Sequence, residues 1–135
     1  MHQGRIKRFL NGAGPAVVGI ACLCYIHYLQ WNSGFPAVYN LVKDWQIRDL
    51  RGKRQRNGEL LVQVFDLCAI AIPRQSRCLT YTAAITCYLR YFGYPAQMVI
   101  GVMMRPFSAH SWVRCESVQC WNSLNTEAFT QIDCI

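Results

Sequence analysis

A chain of 135 residues with 53% hydrophobic and 16% charged residues is long enough to bury one core and too apolar to stay disordered. Its net charge of +7 comes entirely from residues 1–58, which carry nine basic and two acidic side chains, whereas residues 59–135 carry five of each. The eight cysteines are too sparse for a small disulfide scaffold, and their spacing lacks the pattern of a zinc site. We therefore expect mostly buried, free cysteines in a reducing compartment.

The first predicted element is a helix that begins near Pro15, within the apolar stretch 13–26. Basic residues precede this stretch, as in a signal peptide, but no clear small-residue cleavage site follows it. The stretch is also shorter than the roughly 20 residues of a membrane span, and Gly14 and Gly19 interrupt it. We favour a buried amphipathic helix and keep a membrane-associated helix as the alternative.

Two further helices are predicted before residue 73. Residues 32–34 (Asn-Ser-Gly) signal a turn, and apolar residues then recur at helical spacing from Phe35 to about Leu50. The basic run 51–56 forms the next connection, either as a solvated loop or as a patch that attracts an acidic partner. A third helix is predicted from Glu59 to about Ile72, where Pro73 ends it.

A fourth helix is predicted from Cys78 to the stop signal at Gly93. A thiol at the first residue of a helix lies at the positive end of the helix dipole, which favours the nucleophilic thiolate. The alternative is that Cys78 is one more packed cysteine among the eight.

Strand patterns follow this helix. Residues 97–104 are rich in Val, Ile and Met, residues 110–115 alternate in polarity, and residues 118–122 are expected to return as a hairpin partner. Adjacent strands would bring His110 and Asn122 to the same end of a small sheet. Asn122 would then hold one ring nitrogen while the other faces the thiol, as in a papain-type site. The alternative is a satisfied core histidine.

Three linked motifs resemble the lasso-peptide leader peptidases, the family of the microcin-processing peptidase. They are Arg-Cys-Leu-Thr-Tyr at 77–81, Val-Ile-Gly-Val at 99–102 and Pro-Phe-Ser-Ala-His-Ser-Trp-Val at 106–113. The separations of 32 residues from Cys78 to His110 and 12 residues from His110 to Asn122 match the spacing of that family.

The resemblance covers residues 73–122 and the earlier helices only in general character. It implies an α+β fold of the papain and transglutaminase type, in which the nucleophile helix packs on a small antiparallel sheet. We expect one domain over residues 1–135, with a helical, basic part at 1–72 and a catalytic core at 73–135.

The resemblance also implies roles for individual residues. Cys78 would be the nucleophile, His110 the general base and later general acid, and Asn122 the orienting residue, where the family usually has Asp. Asp133 is the next acidic candidate if Asn122 is misaligned. The backbone N–H of Cys78 would be one oxyanion donor, and Gln75 is the side-chain candidate for the other.

The function that this family implies is cytoplasmic removal of the leader from a ribosomally made lasso-peptide precursor, by acyl-enzyme chemistry and near a Thr. No winged-helix module precedes the helices, so a separate leader-recognition protein is expected as a partner, besides the precursor and an ATP-dependent lasso cyclase. The basic, apolar N-terminal half would be the docking surface for that protein or for the leader. We expect no cofactor, metal, bound nucleotide or nucleic acid.

Two other classes of function stay open. A transglutaminase-like acyltransferase would use the same three residues and pass the acyl group to an amine. A non-catalytic interaction protein would use the apolar N-terminus for peripheral membrane contact.

Overall fold

The computed structural model describes residues 14–50, 52, 55–71, 78–116, 118 and 127–135. In these residues three helices precede three strands, which is the α+β architecture predicted from the sequence. The helices are α1 (Pro15–Asp44), α2 (Gly58–Ala71) and α3 (Cys78–Tyr91), and the strands are β1 (Gln97–Met104), β2 (Phe107–Arg114) and β3 (Thr130–Cys134).

The first helix begins at Pro15, as predicted, because the fixed φ of proline suits the first helical position. It continues through the predicted turn at residues 32–34. Only Gly34 leaves the helical conformation inside α1, with φ 75° and ψ −170°, and Pro36 follows it. The two predicted helices are therefore halves of one element that meet at a kink.

The end of α1 differs from the prediction, which placed it at Leu50. The helix stops at Asp44, and a side chain of α3 binds the carbonyls around this terminus. The buried Arg90 guanidinium donates to the carbonyls of Val42 at 2.5 Å and Trp45 at 3.0 Å. Trp45 is extended, with φ −76° and ψ 104°. The partner of this terminus comes from a distant part of the chain, which the local pattern does not indicate.

The termini of α2 and α3 carry local signals. Asn57 caps α2 by accepting a hydrogen bond from the backbone N–H of Glu59 at 3.0 Å. After α3, Gly93 adopts φ 89° and the Tyr94 N–H donates to the Leu89 carbonyl at 3.0 Å. This is a Schellman stop, which confirms the predicted end of that helix. The predicted stop of α2 at Pro73 lies outside the described residues.

α3 is the central element, and its residues 80–91 are all buried. It lies between the other two helices and the sheet. Tyr88 is fully buried, donates to the Leu61 carbonyl of α2 at 2.9 Å and packs its ring 5.0 Å from that of Phe65. Burial of each such large side chain contributes about 1.5–3 kcal/mol. Tyr88 therefore joins α3 to α2 through both a hydrogen bond and ring packing.

Part of the basic N-terminal half also packs on α3. The guanidinium of Arg48 lies 4.9 Å from the ring centre of Tyr91, and that of Arg56 lies 5.9 Å from the ring centre of Phe92. Cation–π contacts at exposed positions contribute about 0.5–1 kcal/mol each. These two charges therefore help to fix the connection after α1. The basic residues at 51, 53 and 54 lie outside the described part.

The sheet has the order β2-β1-β3, and both pairings are antiparallel. Gly101 of β1 pairs with His110 on one side and Gln131 on the other. The strand at β3 was not predicted. The predicted hairpin partner of β2, residues 118–122, is not tested, because only Val118 of it is described and that residue lies outside the strands.

All seven described cysteines are free. Cys22, Cys68 and Cys87 are buried, as expected, but Cys24 is exposed on α1, where the sequence pattern predicted burial. Ile20 and Tyr28, one turn away on the same helix face, are exposed with it. No helix in the described part of the chain is long and apolar enough to cross a membrane.

Candidate functional site

Cys78 is the first residue of α3, as predicted from the sequence, and it is half-buried. The first backbone N–H groups of a helix have no partner within it, and the dipole adds positive potential there. An anion or a developing oxyanion is therefore stabilised at this position. Gln75, the side-chain oxyanion candidate, lies outside the described residues.

A hydrogen bond holds the start of α3 against β2. The Thr82 hydroxyl donates to the Ser111 carbonyl at 3.1 Å, and both residues are buried. Cys78 precedes Thr82 by four residues, which is about 6 Å along the axis on the same helix face. His110 directly precedes Ser111, about 3.3 Å along the strand. The segments that carry the predicted nucleophile and base therefore lie side by side.

The ring of His110 belongs to an aromatic cluster formed by His110, Trp112 and Phe129. The His110 and Trp112 rings stack with centroids 6.0 Å apart and planes at 22°, and Phe129 lies 5.4 Å from the histidine ring. Gly101 makes room for this cluster, because a Cβ there would lie 2.7 Å from the Trp112 ring. Packing thus limits the positions that the imidazole can take.

Alternate side chains of β2 point to opposite faces of the sheet. His110 and Trp112 point to one face, and Ser111 and Val113 point to the other. Val113 belongs to the core shared with the helices, together with Met98 of β1. The imidazole therefore lies on the face opposite that core, while Thr82, one turn after Cys78, binds the backbone of the strand. Contact between the Cys78 thiol and the imidazole stays a prediction.

The third predicted member, Asn122, lies outside the described residues, so its role stays a prediction. Asp133, the alternative acidic residue, is engaged elsewhere. It accepts hydrogen bonds from the Tyr39 hydroxyl at 2.6 Å and from the Cys134 N–H at 2.8 Å. The Tyr39 bond is the main reason that the pKa of Asp133 lies below its usual value. Through the bond to Tyr39, Asp133 joins the sheet to α1. It does not adjoin His110, because β1 lies between β3 and β2.

Two of the other cysteines, Cys22 and Cys68, are poorer nucleophile candidates than Cys78. Burial raises the pKa of Cys22 and that of Cys68, so both thiols stay protonated at neutral pH. Within the described residues, no group of three or more His, Cys, Asp or Glu side chains could hold a metal ion.

Two residues of the site region were missed by sequence reasoning. Trp112 could have been found, because it follows His110 by two residues on a strand and so shares its face. Phe129 carried no local signal, since it stands just before β3 and reaches the cluster only through the sheet. The need for Gly101 likewise becomes visible only when the Trp112 ring lies across it.

Comparison with known proteins gives one match. The family model described as the transglutaminase-like superfamily matches residues 30–134, which include the second half of α1, α2, α3 and all three strands. No curated protein and no solved structure matches the chain.

Proposed function

The chain belongs to the transglutaminase-like superfamily, which includes cysteine peptidases and acyltransferases, and from this premise we propose that it is a cysteine peptidase. Cys78 is the nucleophile, His110 the general base and Asn122 the orienting residue in this proposal. The observation that carries it is the hydrogen bond from Thr82 to Ser111, which joins the helix start at Cys78 to the strand segment at His110.

With Cys78 as nucleophile and His110 as base, the proposed reaction passes through an acyl-enzyme. The imidazole takes the proton of the thiol, and the sulfur attacks the scissile carbonyl carbon of the substrate. The N–H of Cys78 stabilises the resulting oxyanion at the helix start. His110 then gives the proton to the leaving amine, and the N-terminal fragment stays on the sulfur as a thioester. Water, deprotonated by the same imidazole, hydrolyses that thioester.

The thiol and the imidazole meet, in this proposal, along the side of β2 that carries the hydrogen bond from Thr82. β1 occupies the other side of the strand. The proposal requires the Cys78 side chain to reach past the edge of β2 to the face that carries the imidazole. The stacked Trp112 ring and Phe129 would hold the imidazole there while it exchanges protons.

We further propose that the substrate is the leader region of a ribosomally made lasso-peptide precursor, cut near a Thr. The three motifs at 77–81, 99–102 and 106–113 support this narrower assignment. The partners in this proposal are the precursor, a separate leader-recognition protein and a lasso cyclase that takes the freed amine. The expected compartment is the cytoplasm, where the free cysteines of the described residues stay reduced.

The test is mass spectrometry of the precursor encoded with this chain, incubated with the protein and its recognition partner. We expect one cut, with water added across the bond, and its loss in Cys78→Ala and in His110→Ala. Cys115→Ala is the matched control, because Cys115 is also half-buried and free but lies after β2. That variant should cut as the wild type does.

Other products would change the assignment. An amine joined to the N-terminal fragment, with no hydrolysis, would make the protein an acyltransferase that uses the same thiol. An undiminished cut in Cys78→Ala, or no product with the partner present, would contradict the catalytic proposal.

A further inference from the structure

The outward face of α1 carries a continuous row of apolar side chains. We call it the outer stripe and define it as Val17, Ile20, Cys24, Tyr28 and Trp31. All five are exposed: Trp31 has 86% of its surface accessible, Tyr28 61% and Val17 54%. Single exposed apolar residues are ordinary, but an aligned row of this kind marks an interaction surface.

Spacing makes the outer stripe continuous. Its members follow one another by three or four residues, which places them on one face of a helix over about 21 Å. The opposite face of α1 holds Val18, Leu23 and Ile26 in the protein core. The helix therefore packs on its own domain with one side and presents a second apolar side to solvent. Gly34 ends the stripe, because the helix bends there.

From this arrangement we propose that the outer stripe is a dimer interface, on which α1 of a second copy of this chain lies antiparallel. The positions are symmetric about Cys24, at four and seven residues on either side. A two-fold axis through Cys24 would place Val17 of each copy against Trp31 of the other. Ile20 would likewise face Tyr28. Each contact pairs a smaller side chain with a larger one, as a packed helix interface needs.

Charge also favours a second copy over a lipid surface. Residues 9–42 contain no Asp, Glu, Lys or Arg, in a chain whose net charge is +7. Two copies can therefore meet along the stripe without like charges facing each other. A helix that lies on a membrane usually has Lys or Arg on its polar face, and the face of α1 opposite the stripe is buried protein core instead.

The test is sedimentation velocity of the full chain under reducing conditions, from about 1 to about 100 µM, a range suited to a small interface. We expect a concentration-dependent dimer. Trp31→Lys should weaken the dimer at least about tenfold, because an aromatic residue that would be buried against Val17 of the other copy is replaced by a charge. Leu67→Lys is the matched control, since Leu67 is an exposed apolar residue of α2, 68% accessible, and its dimer should persist. Circular dichroism checks that both variants fold.

Disulfide trapping gives a second, independent readout. Mild oxidation of the wild type should link the two Cys24 thiols, and Cys24→Ser should abolish the linked species. A cysteine introduced by Asn32→Cys into Cys24→Ser, one position past the stripe, should link much more slowly.

Several results would overturn the dimer. They are a monomer at about 100 µM, a dimer unaffected by Trp31→Lys, or equal loss of the dimer in Leu67→Lys. A monomer that binds phospholipid vesicles or the recognition protein, and loses this binding in Trp31→Lys, would assign the stripe to that occupant instead.

Discussion

At the level of single side chains, Tyr39 ties the last strand to the first helix. Its hydroxyl donates to a carboxylate oxygen of Asp133, and the same bond raises the pKa of Tyr39 and lowers that of Asp133. The amide of Cys134 and the charge of Lys43 lower the Asp133 pKa further. A carboxyl whose pKa is lowered by folding stabilises the native state above its unfolded pKa. This contribution is lost as the pH falls through the lower, folded value.

Tyr39→Phe should therefore lower the melting temperature at pH 7, where Asp133 is ionised in both states. The difference from the wild type should shrink as the pH falls below 3.8, the ordinary value for the carboxyl. Tyr25→Phe is the control on the same helix, because its pKa is raised mainly by burial. Equal melting at pH 7, or a difference that grows on acidification, would contradict this assignment.

Residue 101 has to be glycine, because the Trp112 ring occupies the space that a side chain would need. A methyl group there would press on the Trp112 ring at 2.7 Å. We expect Gly101→Ala to cost about 1–3 kcal/mol in the free energy of unfolding, the usual range for overpacking. Activity should fall too, because Trp112 stacks on His110. Urea titration measures the first effect and initial rates measure the second.

A double variant separates overpacking from other effects of the alanine. Trp112→Phe makes space next to residue 101, so Gly101→Ala should cost less stability in its presence than alone. Additive losses would show that the ring and the glycine do not interact.

At the level of elements, the site depends on how α3 is docked on the sheet. Thr82→Val keeps the shape of the side chain and removes the hydroxyl that binds Ser111. We expect a loss of about 1–3 kcal/mol, because a buried carbonyl is left without its donor. The rate of cleavage should fall as the start of α3 loosens against β2. Thr82→Ser keeps the hydroxyl and should retain more of the stability and more of the cleavage rate. An equal loss in the two variants would show that the side chain acts through packing alone.

The limits of an element were predictable from the sequence where neighbouring residues determine them, and not where distant residues do. Pro15 and Gly93 mark helix termini through local backbone chemistry, and these limits were predicted from the sequence, as was the start of α3 at Cys78. β1 was predicted at its observed bounds from its run of apolar residues, although Met104 at its end is exposed. The end of α1 was not, because Arg90 reaches it from a distant part of the chain.

The remaining errors have similar physical causes. β3 is short, largely exposed and polar, so it lacks the alternation by which a strand is recognised. The exposure of Cys24 was missed because an apolar residue in a helix has two possible surroundings, core or interface. For the site, the helix position of Cys78 was predictable, whereas Phe129 joins the aromatic cluster only through the folded sheet.

At the level of the whole molecule, α1 and α2 pack on one side of α3, and the sheet packs on another. The helix that carries the proposed nucleophile is thereby held as a rigid central element, while its first residue stays half-buried and reachable. This arrangement suits a thiol that must be accessible to a peptide and fixed relative to a base on β2.

The central claim, that Cys78 is a nucleophile activated by His110, is tested most directly by the rate at which iodoacetamide alkylates each cysteine at about pH 6. An ordinary thiol, with a pKa of about 8.5, is almost entirely protonated there. Peptide mapping should show Cys78 modified well before Cys115, which is equally half-buried, and His110→Ala should remove this preference. Modification of Cys78 no faster than Cys115, or a preference unchanged in His110→Ala, would contradict the account.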